Sequence, residues 1–135
     1  MNGRYPIALH ILTLLNKTKS ELLSSDYIAG SININPALVR KEISNLRNHG
    51  FIASKEGKGG GYSIAKPGRQ ITLADIYNAV KEPHILGVAK NTPNPDCPIG
   101  KQINKNIEEL YIDLDTSFIA KLGTMTLEDF SNKFV

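Results

Sequence analysis

The sequence predicts a mainly α-helical chain that carries one small β-hairpin. Three observations predict it. Apolar residues repeat at helical spacing in three stretches, an Asn-Pro pair opens one of them, and two short β-prone runs flank a basic, glycine-rich turn. The order helix, short helix, tight turn, helix, basic hairpin is that of a winged helix-turn-helix. A long C-terminal helix is expected to follow it.

The first helix is expected from Arg4 to Leu15, where Ile7, Ala8, Ile11, Leu12, Leu14 and Leu15 share helical spacing and Pro6 falls in the first turn. Asn16 to Ser20 is polar and reads as a loop. A short second helix begins at Ser24 or Ser25, whose hydroxyl can cap it. It buries Tyr27, Ile28 and Ala29 and stops near Gly30-Ser31. Pro36 disfavours helical geometry at the residue before it, so Asn35 caps a third helix running to about His49. Val39, Ile43 and Leu46 line one face of that helix. Ala37, Arg40, Lys41, Ser44 and Arg47 fall away from it, and Gly50 ends it.

Phe51 to Ser54 and Tyr62 to Ala65 read as paired strands around Lys55-Glu56-Gly57-Lys58-Gly59-Gly60-Gly61. Pro67-Gly68 starts a connector. Thr72 and Asp75 form a capping box for a helix through about Val80, and the stretch from Pro83 to Pro98 reads as a long loop. The long helix starts at Pro98 or Ile99 and ends at Leu122, closed by Gly123. Its stripe of Ile99, Ile103, Ile107, Leu110, Leu114 and Phe118 is too long to bury on so small a domain and calls for a partner. Thr126 caps a last helix through Phe134. The expected division is 1–66 for the winged helix, 67–98 for the connector, and 99–135 for the dimerisation helix and C-terminal helix.

With 135 residues, 41% hydrophobic and 21% charged, the chain has the composition of one modest globular domain, which argues against wholesale disorder. No apolar run approaches the roughly 18 residues of a membrane-spanning helix. The N-terminus lacks the apolar core of a signal peptide, and a soluble, cytoplasmic protein is expected. The single cysteine, Cys97, excludes an intrachain disulfide. The net charge of +3 is unevenly spread: residues 1–66 carry +5 and residues 67–135 carry −2. A basic half beside a mildly acidic one points the first towards a polyanion.

Several runs together resemble the Rrf2 family of bacterial winged-helix regulators. They are Gly3-Arg4-Tyr5, Ile34-Asn35-Pro36, Leu46-Arg47-Asn48-His49-Gly50-Phe51-Ile52, the segment from Gly57 to Pro67, and Ile71-Thr72-Leu73-Ala74-Asp75-Ile76. The glycine-rich wing with its Thr-Leu-x-Asp helix start is the sharpest of them. The resemblance implies a homodimeric repressor or activator, nucleoid-associated when bound to DNA, whose long helices pair through Ile103, Ile107, Leu110, Leu114 and Phe118. It also implies a palindromic operator with half-sites about one helical turn apart. Cluster-binding members of the family supply three closely spaced cysteines in the segment that here runs from about Leu86 to Lys105. This chain has only Cys97, so no iron–sulfur cofactor is expected.

The expected contacts with double-stranded DNA are Arg40, Lys41 and Ser44, with Asn35 and Ala37 at the start of the same helix. Arg40 is suited to guanine and Lys41 to phosphate. Lys55, Lys58, Gly59, Gly60 and Tyr62 join them from the wing, because glycine amides approach phosphates closely and lysines release counterions. Arg4 and Tyr5 are expected to support the duplex backbone. The loop lacks the Lys-Ser/Thr end of a phosphate-binding P-loop, so nucleotide binding is not expected. Cys97, beside Pro98 at a helix start, reads either as a redox sensor or simply as a small residue at that start. His10, His49 and His84 have no metal-ligand spacing, and no catalytic set is visible, so neither a metal site nor an enzyme is expected. A winged helix used only for protein–protein contact is the alternative.

Overall fold

The computed structural model describes residues 3–81 and 86–135. The expectations for His84 and for the start of the Pro83–Pro98 loop lie outside the described residues. Six helices and one hairpin follow in the order α1 (Arg4–Lys17), α2 (Ser25–Ile32), α3 (Pro36–Asn48), β1 (Ile52–Lys55), β2 (Gly61–Ile64), α4 (Leu73–Val80), α5 (Pro98–Leu122) and α6 (Leu127–Ser131).

Helix α1 buries Ala8, Ile11, Leu12 and Leu15 and runs two residues past the expected end. The reason is Asn16, which the sequence marks as polar loop. Its amide turns inward and donates to Ser131 Oγ at 3.0 Å, so the last turn gains a partner from the far end of the chain. Helix α2 is capped by Ser24, whose hydroxyl accepts from the Tyr27 N–H at 3.0 Å. Ile28 and Ala29 are buried, whereas Tyr27 is 58% exposed, contrary to the expectation. Gly30-Ser31 does not stop the helix either. Asn33 does: it takes the left-handed conformation (φ 64°) and returns its N–H to the Ala29 carbonyl at 2.7 Å.

Helix α3 begins as expected, with Asn35 Oδ1 accepting from the Ala37 N–H at 2.7 Å and Pro36 in the first turn. Val39, Ile43 and Leu46 are completely enclosed, and Gly50 follows with φ 82°. The antiparallel hairpin pairs Ile52 with Ile64 and Lys55 with Gly61, one residue later on β1 and one earlier on β2 than the sequence indicated. Beyond the hairpin, Leu23 and Tyr62 exchange backbone hydrogen bonds of 3.0 and 2.8 Å, which ties the wing to the start of α2. A Cβ at position 61 would lie 2.8 Å from the Leu23 carbonyl oxygen, so this close approach requires glycine.

The Thr72–Asp75 capping box opens α4, and a second box, Thr126–Asp129, opens α6. Helix α6 ends at Ser131 rather than Phe134, and the remaining residues turn back with Phe134 N–H on the Ser131 carbonyl. The C-terminal segment returns to the first one. Leu127 is enclosed in the core, its N–H donates to the Ile71 carbonyl at 2.7 Å, and Leu73 N–H donates to Met125 at 2.9 Å. One core is therefore shared by residues from the first, second and third expected segments. Helix α5 leaves that core. Its 25 residues, roughly 37 Å at 1.5 Å per residue, include no buried side chain. No helix among the described residues is long and apolar enough to cross a membrane.

Candidate nucleic-acid interface

Burial of Val39, Ile43 and Leu46 turns the opposite face of α3 outward. Ala37, Arg40 and Lys41 are exposed there, with Ser44 half-buried beside them. Asn35 belongs to the same end but spends its side-chain oxygen on the cap, so it sets where the helix starts. Four hydrogen bonds join Arg4, Glu42, Asn45 and Ala79. Glu42, only 7% exposed, accepts from Arg4 Nε at 3.0 Å and Nη2 at 3.2 Å. Asn45 Nδ2 donates to Glu42 Oε1 and to the Ala79 carbonyl, both at 3.1 Å. Through this network α1, α3 and α4 share one buried carboxylate.

The Arg4 guanidinium is engaged with Glu42 while its side chain stays 40% exposed. Tyr5 binds within the molecule. It is half-buried, its hydroxyl donates to the Leu73 carbonyl at 3.0 Å, and burial pushes its pKa up to about 12. Both residues follow a helix-start pattern in sequence, but their partners lie 38 and 68 residues away, where no local signal reaches.

In the wing, Lys55, Lys58 and Gly59 are exposed and Gly60 is half-buried. Gly60 N–H closes the turn on the Gly57 carbonyl at 3.0 Å, and Gly57 and Gly59 take φ values of 89° and 76°. Tyr62 is half-buried against the core, with its backbone bonded to Leu23. Between the wing and the C-terminal end of α3 lies a cleft of about 330 Å³, lined by Ser24, Ser25, Arg47, Ser54, Lys55, Glu56 and the wing glycines. Arg47 Nη1 reaches across to Ser54 Oγ at 3.3 Å. Arg47 was not among the expected contacts, although its position seven residues after Arg40 places it on the same face of the helix.

Cys97 caps α5, exposed, with its sulfur accepting from the Gly100 N–H at 3.4 Å. Along α5 the expected stripe is open: Ile99 is 71% exposed, Leu110 52% and Phe118 48%, while Ile107 is half-buried. Where α5 meets the head, the Tyr77 hydroxyl donates to Asp115 Oδ1 at 3.0 Å and the Tyr77 ring stacks on Phe118. Burial, with the Asp115 carboxylate beside it, pushes the Tyr77 hydroxyl up to about 12. His10 pairs with Ser31 Oγ, and His49 Nδ1 lies 2.9 Å from the Asn45 carbonyl oxygen.

An exposed cationic helix bordering a lysine-bearing β-hairpin, on a core of three helices, defines a winged-helix DNA-binding transcriptional regulator. The chain belongs to the Rrf2 family, whose model, described as an iron-dependent transcriptional regulator, matches residues 1–133. It is 34% identical over 132 residues to the HTH-type regulator YwnA of Bacillus subtilis, covering 98% of this chain and 97% of that one. It is similar to the structure of CymR, the global cysteine regulator of B. subtilis (25% identity, TM-score 0.73, 100% of this chain and 98% of that one). A transcriptional regulator from Lactobacillus plantarum shares the fold at 24% identity and a TM-score of 0.83, over 98% of this chain and 89% of that one. These relatives are regulators and not enzymes.

The family description names iron, which in a cluster is held by several thiolates. A single cysteine per chain cannot supply the usual thiolates of a cluster. Among the described residues, no three His, Cys, Asp or Glu side chains are grouped to hold a metal ion.

Proposed function

We propose that this protein is a homodimeric, cofactor-free repressor that binds a palindromic operator on cytoplasmic, nucleoid DNA. Helix α3 enters the major groove, with Arg40 on base edges and Lys41 on phosphate, while Lys55, Lys58 and the Gly59 and Gly60 amides hold the adjoining backbone. Ala37, Ser44 and Tyr62 border the same surface. The α5 stripes of two chains pair and set the spacing of the half-sites. The observation that carries the reading is the common cleft between α3 and the wing, which makes the two modules one surface.

Cys97 is the proposed point of redox control. Peroxide would take two electrons from the thiol sulfur and leave a sulfenic acid, with one oxygen added to sulfur and the other leaving as water. A change of group at the α5 cap then alters how the paired helices carry the heads.

Selection of bound genomic fragments with reduced and with peroxide-treated protein tests this reading. One enriched palindrome supports it, and absence of any enrichment ends it. Equal affinity of both forms for that palindrome removes Cys97 from the mechanism. On the selected site, Arg40→Ala is expected to cost about 1–3 kcal/mol and to relax one base position. Lys58→Ala is expected to weaken all sequences alike and to lower the salt dependence. Equal losses for Arg40→Ala on operator and mixed-sequence DNA would take that residue out of base reading.

A further inference from the structure

In the complex proposed above, α3 lies in a major groove and the wing holds the adjoining backbone, so the two modules flank an edge of that groove. The major and minor grooves, about 12 and 6 Å wide, are separated by a sugar–phosphate strand, and in that complex the strand passes between the two modules. Between the two modules lies the cleft bounded by the end of α3, the β1 strand and the start of α2. Its walls are chemically suited to a phosphodiester. Arg47 stands on the α3 side and Lys55 on the wing side, both exposed, with the Ser24 and Ser25 positions at the third edge. Arg47 lies two helical turns beyond Arg40, roughly 10 Å along the axis, and so falls beyond the residues that face base edges.

We infer that this cleft is a seat for a backbone phosphate of duplex DNA, and that Arg47 is its principal ligand. The inference rests on the DNA-binding reading above and adds a contact to it. Arg47 donates one N–H to Ser54 over a long 3.3 Å, and a guanidinium carries five such donors in a fork that matches phosphate oxygens. Exchange of that neutral hydroxyl for a phosphate gains a charge-assisted bond at the cost of a weak one. Glu56 lines the same cleft and opposes the anion, so Arg47, Lys55 and Glu56 together leave one net positive charge. The seat is thereby tuned to hold a strand already delivered by α3 and the wing, rather than to capture free anions.

The test uses the full-length protein and a fluorescent mixed-sequence duplex, titrated over a range of potassium chloride. Arg47→Ala is expected to weaken binding roughly three- to tenfold and to lower the salt slope by about one, since each phosphate contact releases about one counterion. Arg47→Lys should keep the slope, and Glu56→Gln should tighten binding. Ser54→Ala removes the partner of Arg47 in the free protein. It should leave affinity unchanged or slightly higher, whereas a merely structural Arg47 would make Ser54→Ala as damaging as Arg47→Ala. An unchanged slope in Arg47→Ala, with wild-type binding intact, overturns the phosphate seat and leaves the DNA-binding reading standing. Wild-type protein that binds no duplex overturns both. Displacement of the duplex by inorganic phosphate beyond the effect of matched ionic strength would show a free-anion site instead, and also overturns the inference.

Discussion

Two tyrosines show how single side chains join the head of the molecule. Tyr5 donates to the Leu73 carbonyl, Tyr77 donates to Asp115, and their rings meet edge to face with centroids 6.1 Å apart. Both hydroxyls are pushed up from the ordinary value near 10 to about 12. The folded state therefore favours the neutral hydroxyl. Its contribution to stability is complete below pH 10 and is lost as pH rises towards 12, because ionisation removes a donor and, at Tyr77, faces a carboxylate. Denaturant midpoints should fall across that interval, and the fall should be smaller in Tyr5→Phe and Tyr77→Phe. An identical decline in both variants would assign the loss to other groups. At this scale the sequence was readable only where a residue answers to its own helix. The outward position of Arg40 and Lys41 follows from the buried Val39–Ile43–Leu46 stripe, but the bonds of Tyr5, Arg4 and Asn16 depend on Leu73, Glu42 and Ser131.

Among the elements, those with chemical punctuation were legible and those closed by tertiary contact were not. Asn35-Pro36 and the Thr72–Asp75 box start their helices where the sequence placed them, because a side-chain cap acts over three residues. The end of α2 differs from the sequence expectation because Gly30-Ser31 resembles a stop, while Asn33 supplies the left-handed residue. The wing separates two kinds of glycine requirement. Gly59 stands in open space with φ 76°, so alanine there meets only backbone strain of about 1 kcal/mol. At Gly60 a Cβ would run into the carbonyl oxygens of Lys55 and Gly57, which are part of the turn itself. Gly60→Ala should therefore deform the turn that positions Lys58, cost about 1–3 kcal/mol, and weaken DNA binding more than Gly59→Ala does. Binding isotherms and thermal melts of the two variants check this, and equal effects would show that the turn yields without moving the lysine.

For the whole molecule, the core closes on itself and leaves α5 outside. Segments 4–80 and 122–131 enclose Ile11, Ile28, Ile43, Ile76 and Leu127, with the last of these arriving after the long helix has gone out and come back. Helix α5 touches that core through α4, at the Tyr77–Asp115 bond and the Tyr77–Phe118 stack, and then carries Leu114, Leu110, Ile103 and Ile99 into the open. A helix of this length with an exposed apolar stripe is stabilised by burial against another surface, and the stripe of a second copy is complementary to it by symmetry. In the proposed dimer, burial of each such leucine contributes about 1.5–3 kcal/mol, so two charged replacements would remove a large share of the pairing free energy. The double variant Leu110→Asp and Leu114→Asp is expected to sediment as a monomer while the head remains folded, because neither side chain is part of the core. Its affinity for a two-half-site duplex should fall by the avidity lost when two linked heads become independent, about 10²-fold or more. Binding to a single half-site should change little. A monomeric wild-type protein, or a double variant that keeps full affinity for the paired site, would show that α5 serves some other surface.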